Sequence, residues 1–256
     1  MLHIGNFTFD VNFFLAYLLS PPAMIWQGLL LTIEISLIAQ VSGVVLGFFV
    51  AVARLSKSKV LSTFALVYSW CWRGTPVLVQ LLIVYTGVAA SGIYRYPEIN
   101  FGLFTLSGPM QAALITLSLN EAAYMGEIFR AAIQSIDRGQ IDAARAIGMK
   151  PWTAMRWVVL PQAMRIVVPP LGNEFTLMIK GTSLLSVIGV RELFMTVQNI
   201  NSATFKTFEL FLVAAFWYLL ITTALAIGQR YVERHLRKHE LATTVPARTA
   251  RTLFSI

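Results

Sequence analysis

An all-α protein that crosses a membrane five times is what this sequence predicts, on three observations. Hydrophobic residues make up 57% of the 256 and charged ones 12%, against about 25% charged in an ordinary soluble domain. Mean hydropathy is +0.68, and apolar runs recur near the roughly 20 residues that a helix needs to cross a bilayer. The third observation is one polar interruption. Arg130, Asp137, Arg138, Asp142, Arg145, Lys150 and Arg156 all fall between 130 and 161 of an otherwise greasy chain.

Taken in order, residues 1–23 form an interfacial segment. Positions 2–20 hold no Lys or Arg and crowd Phe7, Phe9, Phe13, Phe14 and Tyr17 ahead of Pro21 and Pro22, the composition of an interfacial helix or aromatic anchor. A basic n-region and a small-residue cleavage site are both missing, so a cleaved signal peptide is not expected. The membrane unit follows over 24–236. Its first span, 26–52, is interrupted only by Glu34, and Ala39, Gly43, Gly47 and Ala51 recur in it every four residues. Such a stripe lets a neighbouring helix approach closely, where packing drives association in lipid. The second span, 60–89, carries Arg73-Gly74-Thr75-Pro76 near its centre, and the third, 101–129, is uncharged until Glu121.

The loop of about 131–161 keeps a helical recurrence of apolar residues: Ile133, Ile136, Ile141 and Ala144, then Trp152, Met155 and Val159. Gly139 and the Gly148-Met149-Lys150-Pro151 turn divide it into short helices, since Gly carries a bend and Pro starts a helix. The fourth span is 162–180, kinked by Pro169-Pro170. Residues 181–190 are too few to cross at about 1.5 Å per residue and read as a re-entrant or surface piece. A polar connection, 191–207, leads to the fifth span at 208–229 and then to a basic tail, 237–256.

Orientation follows from the basic residues. Three Lys/Arg lie in the 54–59 loop, six between 130 and 165 and six from 230 onward, which is fifteen of the twenty. The other side holds Arg95, Arg191 and Lys206. Basic loops stay in the cytoplasm, so the N-terminus is expected outside and the C-terminus and the 131–161 loop inside. The net charge of +8 is spread over short loops beside apolar spans, which disfavours a nucleic-acid partner and leaves membrane lipid as the surroundings. Cys71 is alone, so no intrachain disulfide or cysteine cluster can form. His235 and His239 stand four apart without a third metal ligand. With no phosphate-binding G-x-x-x-x-G-K-[ST], no nucleophile elbow and no H-E-x-x-H, the chain itself is expected to carry no cofactor, metal or catalytic residue.

Ionisable groups inside spans are costly and face a cavity or a partner. Glu34, Arg73 and Glu174 come out near mid-depth, with Glu121 and Glu127 closer to the cytoplasm. The planar fork of Arg73 suits bidentate pairing with Glu34, with Glu174 or with a substrate carboxylate. A static pair that locks helices together and a substrate path both fit. Thr75, Asn120 and Tyr124 add groups able to line a polar route or simply to join helices.

The run Asp142-Ala143-Ala144, then Gly148, then Val158-x-Leu160-Pro161, resembles the "EAA" signature of the membrane subunits of ABC importers. Asp142 and Val158 depart from the usual Glu and Ile, keeping charge and branching. Asn120-Glu121-Ala122-Ala123-Tyr124-Met125-x-Glu127-x-x-Arg130, Arg73-Gly74-Thr75-Pro76 and Lys180-Gly181-Thr182-Ser183-Leu184 resemble the branch that imports polar amino acids and opines, of histidine, glutamine or arginine type. The likeness covers about 24–235. It implies a type I importer permease that forms half of a pore with an identical or homologous permease. It also implies two ABC ATPase subunits, which bind ATP and Mg, and an extracytoplasmic substrate-binding protein. Asp142, Ala143, Ala144, Gly148, Leu160 and Pro161 would then belong to a coupling element that docks on the ATPase, with Ala143 and Ala144 as its small contact face. Arg73, Thr75, Asn120, Glu121, Tyr124 and Glu174 would belong to the substrate path. Two other readings are a stand-alone secondary amino acid transporter, which predicts inverted repeats, and an assembly protein whose loop binds something other than an ATPase.

Overall fold

A computed structural model of the chain describes residues 2–4, 7–100, 102 and 105–241. The segment expected as an interfacial helix or aromatic anchor begins with a short antiparallel hairpin, β1 (Leu2–Ile4) and β2 (Phe7–Phe9). Helix α1 (Val11–Leu19) follows, and Asp10 caps it by accepting from Phe13 N at 3.1 Å. Lys206 donates to the same carboxylate at 3.0 Å, and Asp10 N donates to Glu209 at 2.8 Å. The Phe13 amide and then the Lys206 ammonium hold the Asp10 carboxyl below its ordinary range.

Helix α2 (Ala23–Arg54) is 32 residues long, about 48 Å at 1.5 Å per residue. Its apolar composition lets it cross alone. The small-residue stripe lies buried on its inner face and meets α6 (Gly108–Gln134). A Cβ on Gly47 would stand 2.6 Å from Met125 Cβ and 3.0 Å from Gly126 N, so only glycine permits the approach. Gly43 is pressed in the same way against the Glu121 side chain. Glu34 points away from this face and is exposed.

The second predicted span is not one helix. Helix α3 (Lys59–Gly74) stops at the Arg73–Pro76 motif, and the chain resumes at 106°. The continuation is α4 (Val77–Leu82), a π turn (Ile83–Gly87) and α5 (Val88–Ala90). Pro76 lacks the N–H that would continue α3, and Thr75 before it takes the extended conformation that a following proline imposes. The third span starts at Gly108 rather than at 101. Strands β3 (Ile99–Asn100) and β4 (Thr105–Leu106) pair just ahead of it.

After α6 and α7 (Arg138–Ala146), helix α8 (Pro151–Ala154) passes through a π turn (Met155–Val159) into α9 (Leu160–Gly181). The fourth span therefore grows out of the loop as one helical run from Pro151. The π turn has a cause in Pro161, which cannot donate to the preceding turn, and Leu160 N reaches back to Met155 O instead. At the Pro169-Pro170 kink, Gln229 Nε2 donates to Pro169 O at 3.0 Å. Residues 182–188 form a 3₁₀ segment (Thr182–Ile188) closed by Gly189 at φ +83°. It is buried, with Thr182 and Leu185 fully covered, and not a surface piece.

The 191–207 stretch expected as a polar connection is mostly helix, α10 (Leu193–Thr204). Its cap is the fully buried Glu192, which accepts from Phe194 N at 2.9 Å, Met195 N at 2.7 Å and Tyr218 Oη at 2.7 Å. Helix α11 (Thr207–Leu241) completes the bundle and outruns the predicted fifth span by a dozen residues. Trp26 and Trp217 meet edge-on at 4.9 Å where α2 and α11 pack. The rest of the expected tail, 242–256, lies outside the described residues. Of the helices at the five expected spans, α2, α11 and the bent α3–α5 unit are long and apolar enough to cross a membrane, while α6 and the α8–α9 run are more polar. Helix α6 is less apolar than α2 because Gln111, Thr116, Ser118, Asn120 and Glu121 turn inward.

Candidate functional site

The bend at Arg73–Pro76 leaves the last carbonyls of α3 without helical partners. Two side-chain amides close that gap. Gln80 Nε2 donates to Trp72 O at 2.7 Å, to Thr75 O at 3.0 Å and to Thr75 Oγ1 at 2.8 Å. Asn120 Nδ2 donates to Gln80 Oε1 at 2.9 Å and to Trp72 O at 3.2 Å. Thr75 Oγ1 in turn donates to Cys71 O at 2.8 Å. Thr75 and Asn120, singled out in the sequence as pathway groups, both help to hold the bend. Gln80 is the organiser, and nothing in its sequence surroundings marks it.

Beside the bend, α6 and α9 enclose a pocket of 230 Å³. Asn120, Glu121 and Tyr124 line it from one helical face of α6, Glu174 and Met178 from α9, and Val77 from the start of α4. Glu121 is buried at 3% exposure and accepts from Gln40 Nε2 at 2.7 Å; Gln40 is a second residue that sequence reasoning missed. Glu174 is half-buried. The Arg73 guanidinium lies over the Tyr124 ring, 5.4 Å from its centroid. No ion pair joins Arg73 to Glu174: among the described residues the pairs are Glu127–Arg130, Asp142–Arg145 and Asp10–Lys206. The direct pairing considered for Arg73 with Glu34 or Glu174 is therefore not made; Glu34 is exposed on α2 away from α6, and Arg73 sits over the Tyr124 ring instead. What results is a small chamber with two carboxylates in its lining, while Arg73 lines a separate hollow with Arg54 and Glu127 on the other side of Tyr124. Among the described residues no group of three His, Cys, Asp or Glu side chains could hold a metal.

The loop site is built from α7. Asp137 caps its start by accepting from Gly139 N at 2.7 Å. Its end is a Schellman turn: Met149 N donates to Ala144 O at 3.0 Å and Gly148 N to Arg145 O at 2.9 Å. Gly148 sits at φ +79° with open space where a Cβ would stand. The glycine is needed for its backbone, not for room.

Ala143 is exposed, but Ala144 is buried at 4% and packs into the loop itself. Of the two alanines expected to form the small contact face, Ala143 is the one on the exposed side of α7, because adjacent helical residues point about 100° apart. Asp142 pairs with Arg145 at 3.3 Å, both well exposed, a contact worth about 0–1 kcal/mol. Ile147 and Trp152 stand out from the loop, 75% and 73% exposed. Leu160 and Pro161 lie farther along, where the π turn enters α9. Glu127 and Arg130 pair on α6, and Arg130 also holds Gln134.

Comparison with known proteins follows this geometry. Residues 43–238 match the family described as "binding-protein-dependent transport system inner membrane component". The chain is 42% identical over 232 residues to the arginine transport system permease protein ArgU of Corynebacterium glutamicum, covering 88% of this chain and 71% of that one. It is 35% identical over 211 residues to the glutamine transport system permease protein GlnP of Escherichia coli K12, covering 82% and 92%. A crystal structure of an amino acid ABC transporter with histidines superimposes with a TM-score of 0.77 at 34% identity, covering 90% of this chain and all of that one.

Proposed function

The chain belongs to the family of binding-protein-dependent transport system inner membrane components, and on that premise we propose what it carries and how its polar groups are used. It is a permease subunit of an ABC amino acid importer and not an enzyme. Permeases of this family work with ATPase and substrate-binding partners. A stand-alone secondary transporter and an assembly protein are set aside with that membership.

The cargo is a polar amino acid or an opine, and the pocket between α6 and α9 is its way through. The observation that carries this is the opposition of charges there: Glu121 and Glu174 face inward while Arg73 stands at the Tyr124 side. A zwitterion can place its carboxylate toward Arg73 and its ammonium toward Glu174, since a bidentate fork and a carboxylate are the groups that recognise those ends. A second permease, identical or homologous, completes the pore. ATP and Mg are held by two ATPase subunits, with α7 and the exposed Ala143 and Ile147 docked against them. The loop faces the cytoplasm, the N-terminus the outside, and a binding protein delivers substrate there.

The test is uptake by the assembled transporter in liposomes, with radiolabelled arginine and glutamine supplied through the cognate binding protein. Glu174→Gln should cut uptake at least about tenfold, a loss of about 1.4 kcal/mol in recognition, while leaving ATPase association unchanged. Wild-type uptake of both amino acids by that variant would remove the pocket from the path.

A further inference from the structure

A second cavity lies apart from the translocation pocket, among the end of α2, the start of α3 and the run from α8 into the π turn. It encloses 610 Å³, within the roughly 300–1,000 Å³ of small-molecule sites. Phe48, Val52, Leu61, Ile133, Trp152 and Met155 make most of its wall, and its polar side chains are Ser56 and Arg156. Arg156 is exposed, and among the described residues it has no ion-pair partner; its guanidinium stands 5.6 Å from the Trp157 ring centroid. The cavity lining contains no acidic side chain. Ser56 belongs to the short connection that also carries the exposed Lys57 and leads to Lys59.

The wall is too apolar for an amino acid or another free polar solute, whose groups would go unsatisfied there. Its rim is basic, and Trp152 and Trp157, 73% and 67% exposed, are the residue type that settles at headgroup level. Basic pockets between spans on the cytoplasmic side suit anionic lipid headgroups. The geometry points to a site for an anionic diacyl phospholipid of the cytoplasmic leaflet, an acyl chain in the cavity and the phosphate at Arg156 with Lys57 beside it. This rests on the proposal that the loop faces the cytoplasm. Pro151, Met155 and Leu160 line the cavity and also carry the loop into α9, so a bound lipid steadies the coupling element.

The test is native mass spectrometry of the assembled transporter in detergent, titrated with dioleoyl-phosphatidylglycerol or dioleoyl-phosphatidylcholine. The wild type should retain the phosphatidylglycerol in preference. Arg156→Ala should lower that retention about fivefold, the factor one basic residue contributes at an anionic surface, and Val52→Trp should abolish it by filling the cavity. Equal retention of the two lipids, or retention indifferent to both variants, overturns the site. So does a short cross-link from a cysteine at Val52, in a Cys71→Ser background, to an ATPase or to the second permease, since a protein would then occupy the cavity. Uptake by the same preparation in phosphatidylcholine liposomes reports on transport separately, so lost lipid preference with intact uptake overturns the lipid site alone.

Discussion

Replacing Gln80 by Met tests whether the broken second span is held by amides. Methionine matches the length and volume of glutamine but cannot donate, so the change removes the bonds to Trp72 O, Thr75 O and Thr75 Oγ1 and the acceptor of Asn120. Thr75 is exposed, so its groups can be resatisfied by water. The two losses that matter are those to Trp72 and Asn120. A side-chain hydrogen bond within a membrane protein contributes about 0.6 kcal/mol on average and up to about 1.7, which makes the expected cost about 1–3 kcal/mol. Trp72 O keeps its bond to Asn120 at 3.2 Å, which argues against the top of that range. The assay is reversible unfolding of the purified permease in mixed micelles titrated with SDS. Asn120→Leu alone should cost a similar amount, and the double change less than the sum, because the two amides share one bond. A Gln80→Met permease as stable as wild type, or strictly additive effects, would refute the account of the bend.

Three further outcomes follow from the packing. Gly47→Val should destabilise the α2–α6 contact by at least about 1–3 kcal/mol, read as a lower unfolding midpoint in the same micelles, because its Cβ has only 2.6 Å to Met125 Cβ. Gly148→Arg should abolish substrate-stimulated ATP hydrolysis at normal membrane levels, whereas Gly148→Asn, which tolerates positive φ, should keep most of it; wild-type transport by the arginine variant would remove Gly148 from coupling. Single cysteines replacing Ser91 and Ser202 in a Cys71→Ser background should react with an impermeant thiol reagent from outside, and one replacing Ser135 should not. All three serines are exposed, so labelling at Ser135 would reverse the orientation.

The chain's amino acids determined by themselves that it is helical and membrane-embedded, where most helices lie, and that a loop turns at Gly148. Those are short-range matters: runs of apolar side chains, a proline without an N–H, a glycine able to take φ +79°. The stripe Ala39-Gly43-Gly47-Ala51 likewise announced a close helix contact, though not that α6 would be the neighbour. Tertiary structure alone decided what the polar residues do. Gln80 and Gln40 look like incidental amides until α6 is set beside them, when one bridges the bend and the other holds Glu121. Arg73 and Glu174 share a depth but not an ion pair, because depth is counted along a helix whereas direction depends on how two helices are rotated against each other. Ala144 turned inward and Glu192 became a buried cap for the same reason. Hydropathy says which helices can enter a bilayer but not which face meets which; the unpaired backbone groups and the side chains that satisfy them select one packing.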